Sequence, residues 1–194
     1  MIALKANDYK QIIKPRMSEY TYTHSVNVSK EARRLAKIFG CDEEKAALAG
    51  ILHDITKETP KEEQLQIILD SGIILSSLEK NSSKLWHGIS GSVYIEQILG
   101  IKDQDILNAV RYHTTGRANM SLLEKIIYVA DYTSEERTYN GVATMRKKAK
   151  KSIESAMLYG LKFTLKDLSK REMTIHPDAL ACYNEIILNS ATQK

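Results

Sequence analysis

The sequence predicts an all-α protein that folds as one domain. Apolar residues recur at helical spacing along most of the chain, and capping residues or glycines stand at the ends of these segments. No segment shows the clear period-two alternation of a strand between turns. We expect a single domain over residues 1–194, with a core of about 20–135 and C-terminal helices of about 142–190 packed on it.

Four helices are predicted in the first half of the chain. Gly40 is the expected stop of a helix that begins near His24, and Asp42 is the expected N-cap of the next helix. This second helix is predicted to run through Leu48–Pro60, which reads LAGILHDITKETP. The third and fourth helices are predicted at about residues 60–71 and 85–99.

The second half is predicted to be helical as well. Ser121 and Glu124 form a capping box at the start of one helix, and Pro177 begins the last. The charge run RKKAKK, Arg146–Lys151, is interpreted as a solvated face of a long helix rather than as a phosphate-binding patch. The predicted ranges are about 103–112, 122–135, 142–165 and from 177 onward.

Composition excludes some classes of protein. The formal net charge of +4 suits anionic ligands but is too small to indicate nucleic-acid binding. We find no apolar segment typical of a signal peptide and none approaching the roughly 20 residues that span a membrane. The two cysteines form no CxxC motif. Together these features predict a cytoplasmic protein in a reducing compartment, without a membrane partner.

A histidine and an aspartate stand side by side in the apolar run of the second helix. His53 and Asp54 follow Leu52 directly, and burial of both groups is costly unless each is paired or bound to a metal. Imidazole and carboxylate ligands together suit Zn, Mn or Fe. Lys57 follows within one helical turn and could hold an anionic group beside the metal.

Further candidate ligands are spread along the chain. Four of the five histidines lie in different predicted helices or at their ends, and Asp131 lies on an otherwise apolar helix face; the histidines are His24, His53, His87 and His113. Neighbours in this set are 18 to 34 positions apart, unlike the close spacing of a zinc finger or an HExxH protease. The spacing fits ligands that come one per helix and converge inside a bundle.

Each residue taken alone also has a purely structural explanation. Asp131 could pair with Arg137 at a helix end, and Lys57 could be a last-turn lysine that interacts with the helix dipole. A lone histidine is more often a packed or surface residue than a ligand. The His53–Asp54 doublet in an apolar segment is harder to explain in this way.

The ordered pattern H…HD…D resembles the HD-domain superfamily of metal-dependent phosphohydrolases. Three further runs narrow the resemblance to the YqeK family. They are His53–Lys57 as HDxxK, Arg111–Arg117 as RYHTTGR, and Ser121–Tyr132 as SLLEKIIYVADY. The match extends from about residue 20 to 189.

The resemblance implies an all-α helical bundle of the HD type that cuts diadenosine tetraphosphate symmetrically into two ADP. It implies a transition metal, iron foremost, with Mn, Co or Zn as alternatives. The implied metal ligands are His24, His53, Asp54 and Asp131, and His87 and His113 would hold a second metal or contact phosphates. The implied catalytic residues are His53, Asp54, Lys57 and His113. The implied substrate-binding residues are Thr21, Asp54, Lys57, His87, His113, Thr114, Asp131, Arg137, and Thr174, Ile175, His176, Pro177, Asp178 and Ala179 near the base.

One position departs from the family. Thr21 stands where many members carry an arginine, and threonine cannot give a charged, bidentate phosphate contact. We therefore expect weaker phosphate binding or a replacement cation from elsewhere. A hydrolase of another nucleotide and a non-catalytic nucleotide sensor both remain open, as does a homodimer.

Overall fold

The computed structural model describes residues 6–191, which contain eleven α-helices, two short 3₁₀ helices and no strand. The all-α prediction is therefore confirmed. The helices are α1 Tyr9–Ile13, α2 Glu19–Phe39, α3 Glu43–Leu52, α4 Lys61–Asp70, α5 Ser77–Lys80, α6 Trp86–Gln97, α7 Gln104–Arg111, α8 Leu122–Thr133, α9 Val142–Ala149, α10 Ile153–Lys170 and α11 Pro177–Ala191. Within this range no helix is both long and apolar enough to cross a membrane.

Helix α3 ends earlier than predicted. Its last residue is Leu52, and residues 53–58 form consecutive turns, so the His53–Asp54 doublet does not lie inside a helix. His53 Nδ1 lies 2.8 Å from the carbonyl oxygen of Gly50, the group that would accept the Asp54 amide if the helix continued. The predicted helix through LAGILHDITKETP was therefore wrong in its second half.

The long helix expected at 142–165 is two helices. α9 ends at Ala149 and α10 begins at Ile153, where the Ser152 side chain caps the new helix by accepting a hydrogen bond from the Ser155 amide. The apolar pattern continues across this break, which is why it predicts one helix. The short helices α1 and α5 were not predicted.

Two glycines let pairs of helices approach closely. A Cβ atom on Gly50 of α3 would lie 2.9 Å from the Cα of Ser29 on α2, and one on Gly88 of α6 would lie 2.9 Å from the carbonyl oxygen of Arg111 on α7. No larger residue fits at either position without a backbone shift. The first contact brings His24 to His53, and the second brings His87 to His113.

The main hydrophobic core joins the N-terminal helices to the C-terminal ones. Tyr128 and Ile127 of α8 belong to one buried cluster with apolar residues of α2 and α3 and with Met145 of α9 and Met157 of α10. This core fixes α8, which carries Asp131. The single domain over 1–194 stays a prediction, and residues 1–5 and 192–194 of that range lie outside the described residues.

Candidate metal and phosphate site

Four imidazole rings converge between α2, α3, α6, α7 and α8, and all four are buried. His24 Nε2 lies 3.2 Å from His53 Nε2, and His87 Nε2 lies 3.1 Å from His113 Nε2. The His53 and His113 ring centroids are 5.0 Å apart, which joins the two pairs into one cluster. The structure thus brings together histidines that come from four separate segments.

The opposite ring nitrogens fix the orientation of these imidazoles. In three of them Nδ1 lies 2.7–2.8 Å from the carbonyl oxygen three residues earlier: His53 with Gly50, His87 with Lys84 and His113 with Val110. A carbonyl only accepts, so Nδ1 carries the proton and the Nε2 lone pair points into the cluster. Converging lone pairs on neutral imidazoles are a donor set for a metal ion.

Asp54 lies between the two histidine pairs and is fully buried. Its Oδ2 is 3.3 Å from His53 Nε2, and its Oδ1 is 3.4 Å from His87 Nε2 and 3.6 Å from His113 Nε2. Oδ1 has no hydrogen-bond partner among the described residues. A buried carboxylate oxygen that faces nitrogen lone pairs is unfavourable without a cation between them, so this arrangement fits a metal ion.

Asp131 and Arg137 complete the cluster on the α2 side. Asp131 Oδ1 lies 3.0 Å from His24 Nε2 and 3.9 Å from His53 Nε2. Arg137 donates to Asp131 Oδ1 at 2.5 Å. The Asp131–Arg137 ion pair expected from the sequence therefore exists, and it lies within the cluster. Two sets of three residues each place one ligand atom per residue within 4.8 Å of the others in the set. The first set is His24, His53 and Asp131, and the second is His53, Asp54 and His113.

The model of the HD domain matches residues 21–136 of this chain, which contain all four clustered histidines together with Asp54 and Asp131. This protein belongs to the HD-domain family. Curated relatives from Bacillus subtilis and Halalkalibacterium halodurans are each 40% identical over 178 residues, which cover 92% of this chain and 95% of each relative. A relative from Staphylococcus aureus is 33% identical over 177 residues. All three are named "Bis(5'-nucleosyl)-tetraphosphatase, symmetrical".

A solved structure agrees with this membership. The crystal structure of a predicted HD superfamily hydrolase involved in NAD metabolism from Clostridium acetobutylicum matches with a TM-score of 0.92 at 36% identity, over 96% of this chain and 98% of that chain. The resemblance to the YqeK family, on which the sequence-based prediction depends, is confirmed by these matches.

The charge state of the HD-domain cluster follows from its burial. Burial is the main cause that lowers the pKa of His53 and brings the pKa of His87 to about 3, so both rings are neutral at neutral pH. Burial acts against ionisation of Asp54, but interactions with His53, His113 and Lys57 together outweigh it and hold the pKa of that carboxyl well below its usual range. The site therefore combines the neutral rings of His53 and His87 with ionised carboxylates.

Two cations stand at the rim of the cluster. Lys57 Nζ lies 2.7 Å from Asp54 Oδ2, and its side chain keeps 42% of its surface exposed. Arg137 is 29% exposed and reaches Asp131. The proximity of Lys57 to Asp54 was predicted from helical spacing, although a turn rather than a helix produces it.

The predicted residues nearer the C-terminus form a separate group. Thr114, His176 and Asp178 line a small cavity of about 20 Å³ together with Glu79 and Arg111. His176 Nε2 lies 3.8 Å from Glu79 Oε1, and its Nδ1 accepts a hydrogen bond from the Asp178 amide. The remaining members of this turn differ in exposure: Thr174 and Pro177 are exposed, Ile175 is half-buried and Ala179 is buried.

Thr21 is buried and contacts an acidic residue. Its hydroxyl donates to Glu58, which also accepts hydrogen bonds from the amide and hydroxyl of Ser18, both at 2.6 Å. Glu58 directly follows Lys57, so this contact joins the start of α2 to the turn that carries Asp54. A phosphate contact of Thr21 stays a prediction.

Sequence reasoning missed Glu136, which contacts His24 Nδ1. One signal was available: a metal-binding histidine needs a partner for its second nitrogen, and Glu136 is an acid beside a candidate residue, Arg137.

Not every member of the run RKKAKK faces solvent: Ala149 lies in the main core, and Arg146 is partly buried. Arg146 donates to the carbonyl oxygens of Thr133, Ser134, Glu135 and Arg137, and so holds the segment after α8 in place.

Proposed function

We propose that this HD-domain protein is a metal-dependent phosphohydrolase that cuts diadenosine tetraphosphate symmetrically into two ADP. The observation that carries the proposal is the buried Asp54 between two histidine pairs, with one oxygen unpartnered, in a chain 40% identical to relatives of that name. The intact donor set distinguishes this chain from a scaffold with a lost site.

The metal is held by His24, His53, Asp54 and Asp131 in this proposal, and Asp54 is shared with a second set that contains His87 and His113. A donor set of imidazoles and carboxylates without thiolate suits iron, and also Mn, Co or Zn. Such an ion, when bound, acts as a Lewis acid that lowers the pKa of water and neutralises phosphate charge. Asp54 and Asp131 offer it anionic oxygens, since both carboxyls have a pKa well below the usual range.

Lys57 and Arg137 bind and orient the phosphate chain. Each uses part of its donor capacity on a carboxylate of the site and keeps an exposed portion toward solvent, where phosphate oxygens can be reached. Phosphoryl transfer depends mainly on positioning and charge neutralisation, which two fixed cations supply. His113 contributes a further polar group, with Nε2 3.6 Å from Asp54 Oδ1.

The cut falls on the middle of the substrate. A water oxygen forms a bond to one of the two inner phosphorus atoms, and the bond from that phosphorus to the central bridging oxygen breaks. The second ADP leaves on that oxygen, and the proton of the water is released. We place one nucleoside against the turn of residues 174–179 with Thr114, because His176 and Asp178 offer polar groups there.

We also propose that the protein is cytoplasmic. Cys41 and Cys182 are free cysteines, as expected of a protein in the reducing cytoplasm. A homodimer stays a prediction.

A chromatographic product assay tests the function. Purified protein with added Mn²⁺ or Fe²⁺ is expected to convert diadenosine tetraphosphate to ADP alone, and Asp54→Asn is expected to lose this turnover. Asp70→Asn, an exposed aspartate on α4, is the matched control and should keep it. AMP together with ATP would contradict the symmetrical cut. Tight nucleotide binding without turnover across several metals would instead support a sensor.

A further inference from the structure

The Glu136 carboxylate accepts several hydrogen bonds at the Nδ1 edge of the His24 ring, opposite the Nε2 atom that faces the cluster. The carboxylate contacts His24 Nδ1 through Oε1. Ser134 Oγ donates to the same oxygen at 2.7 Å, and Asn27 Nδ2 donates to Oε2 at 2.8 Å. Only 18% of the Glu136 side chain is exposed, so these contacts fix the carboxylate in one place.

His24 differs from the other three histidines in how its ring is held. His53, His87 and His113 each place Nδ1 against a backbone carbonyl three residues earlier. His24 lies inside α2, where the preceding carbonyls accept helical hydrogen bonds. Its Nδ1 therefore depends on a side chain that lies 112 positions away in the sequence.

We infer that Glu136 is a positioning residue for the metal site, one that holds His24 with Nε2 directed at Asp131 and His53. A carboxylate that accepts from Nδ1 selects the tautomer with a free Nε2 lone pair and makes the imidazole a stronger donor. This inference rests on the proposed function, because it requires that the cluster binds a metal.

A direct contact of Glu136 with substrate is less compatible with the geometry. Both of its oxygens already have donors, and its negative charge would repel a phosphate chain. Arg137 Nε lies 4.0 Å from Oε1 and balances part of that charge. Glu136 thus acts through His24.

The test measures the affinity of the metal-free protein for Mn²⁺ alone, by competition with a chelator. Four variants are compared: Glu136→Ala, Glu136→Gln, Glu135→Gln and Asp54→Ala. Glu135 is the exposed neighbour with the same charge and is the matched control. We expect Glu136→Ala to weaken Mn²⁺ binding by about 10- to 100-fold, as is typical of lost partners of metal-binding histidines. Glu136→Gln, which keeps an acceptor oxygen, should fall between this and the control.

A second readout separates positioning from general stability. Nitrogen-15 NMR of the histidine rings in metal-free protein, recorded above the raised pKa of His24 so that the ring is neutral, should show His24 protonated on Nδ1. Glu136→Ala should convert it to a mixture of tautomers while the other three rings are unchanged. If Glu136→Ala binds Mn²⁺ as well as Glu135→Gln while Asp54→Ala does not, the inference about Glu136 is wrong and the proposed function stands. If Asp54→Ala also binds Mn²⁺ normally, both are wrong.

Discussion

The two halves of the histidine cluster are built by the same packing device but are anchored differently. In the α2–α3 half, which holds His24 and His53, a glycine lets two helices touch, and side chains from distant segments then fix the polar groups. In the α6–α7 half, which holds His87 and His113, a glycine again brings the helices together, but both rings are anchored by backbone carbonyls of their own segments. Backbone carbonyls of their own segments hold both rings of the α6–α7 half. In the α2–α3 half only His53 is held in this way, and His24 depends on a remote side chain.

The halves also differ in charge. Lys57, Asp131 and Arg137 all adjoin the α2–α3 half, with contacts to its carboxylates and to His24. Among the described residues, no Lys or Arg forms an ion pair or hydrogen bond with His87 or His113. We therefore expect phosphate recognition to depend on the first half, and the shape of the metal pocket to depend on both.

The largest effect is expected from Lys57→Met, which removes a cation from the charged half. Loss of one fixed charge at a phosphate should lower kcat/KM by about 100-fold. Lys61→Met, four residues later, is the control and should change kcat/KM little. Steady-state hydrolysis of diadenosine tetraphosphate measures both, and equal rates for the two variants would contradict the assignment of charge to this half.

The glycine contacts can be compared by substitution with alanine. Gly50→Ala and Gly88→Ala should each lower the free energy of unfolding by about 1–3 kcal/mol, because the new Cβ meets backbone atoms. At Gly91, also on α6, the nearest atoms lie at 3.4 Å and belong to side chains. Gly91→Ala should therefore be tolerated in urea unfolding. A loss at Gly91 equal to those at Gly50 and Gly88 would show that close helix contact is not the cause.

Acid should affect the halves in opposite directions. The pKa of His87 is about 3 in the folded protein against an ordinary 6.5, so the unfolded chain binds more protons in this window and stability falls as pH drops from 6.5 toward 3. For His24, burial lowers the pKa, but the contacts with Asp131 and Glu136 outweigh burial, and the pKa is raised above the ordinary 6.5. Its stabilising contribution is present below pH 6.5 and is lost as pH rises through the folded pKa.

Urea unfolding of the metal-free protein at pH 7 and pH 5 checks this difference. His87→Gln should reduce the acid-induced loss of stability by up to about 1.4 kcal/mol per pH unit. His24→Gln should increase that loss. Changes of the same sign in the two variants would remove the electrostatic distinction between the halves.

The smallest effect is expected at Glu58, where one carboxylate joins the start of α2 to the turn of Asp54. Glu58→Gln should cost about 1 kcal/mol in unfolding free energy, similar to a lost helix cap. Glu19→Gln, also at the start of α2, is the control.

Thr21→Arg is expected to lower KM if the absent arginine weakens phosphate binding, and an unchanged KM would count against that hypothesis.

The sequence predicted the candidate metal ligands better than it predicted the helix ends and the residues that position those ligands. Separate, widely spaced histidines on apolar segments indicated convergence, because buried polar groups need partners and a bundle brings helix faces together. The end of α3 at Leu52 could not be foreseen, since it depends on the His53 ring taking the Gly50 carbonyl. Glu136 was missed because its partner is remote in sequence. The break at Ser152 was missed because the apolar pattern continues through it.

Arg146 has a consequence for how this protein can be divided. The HD-domain match ends at Glu136, and residues 21–136 contain His24, His53, His87, His113, Asp54 and Asp131. The carbonyls of the segment that carries Glu136 and Arg137 are nevertheless held by Arg146, which lies on α9 beyond that limit. The boundary of the family is therefore not the boundary of the working unit. A fragment cut there would carry the named cluster ligands without the brace that keeps the Glu136–Arg137 segment in place.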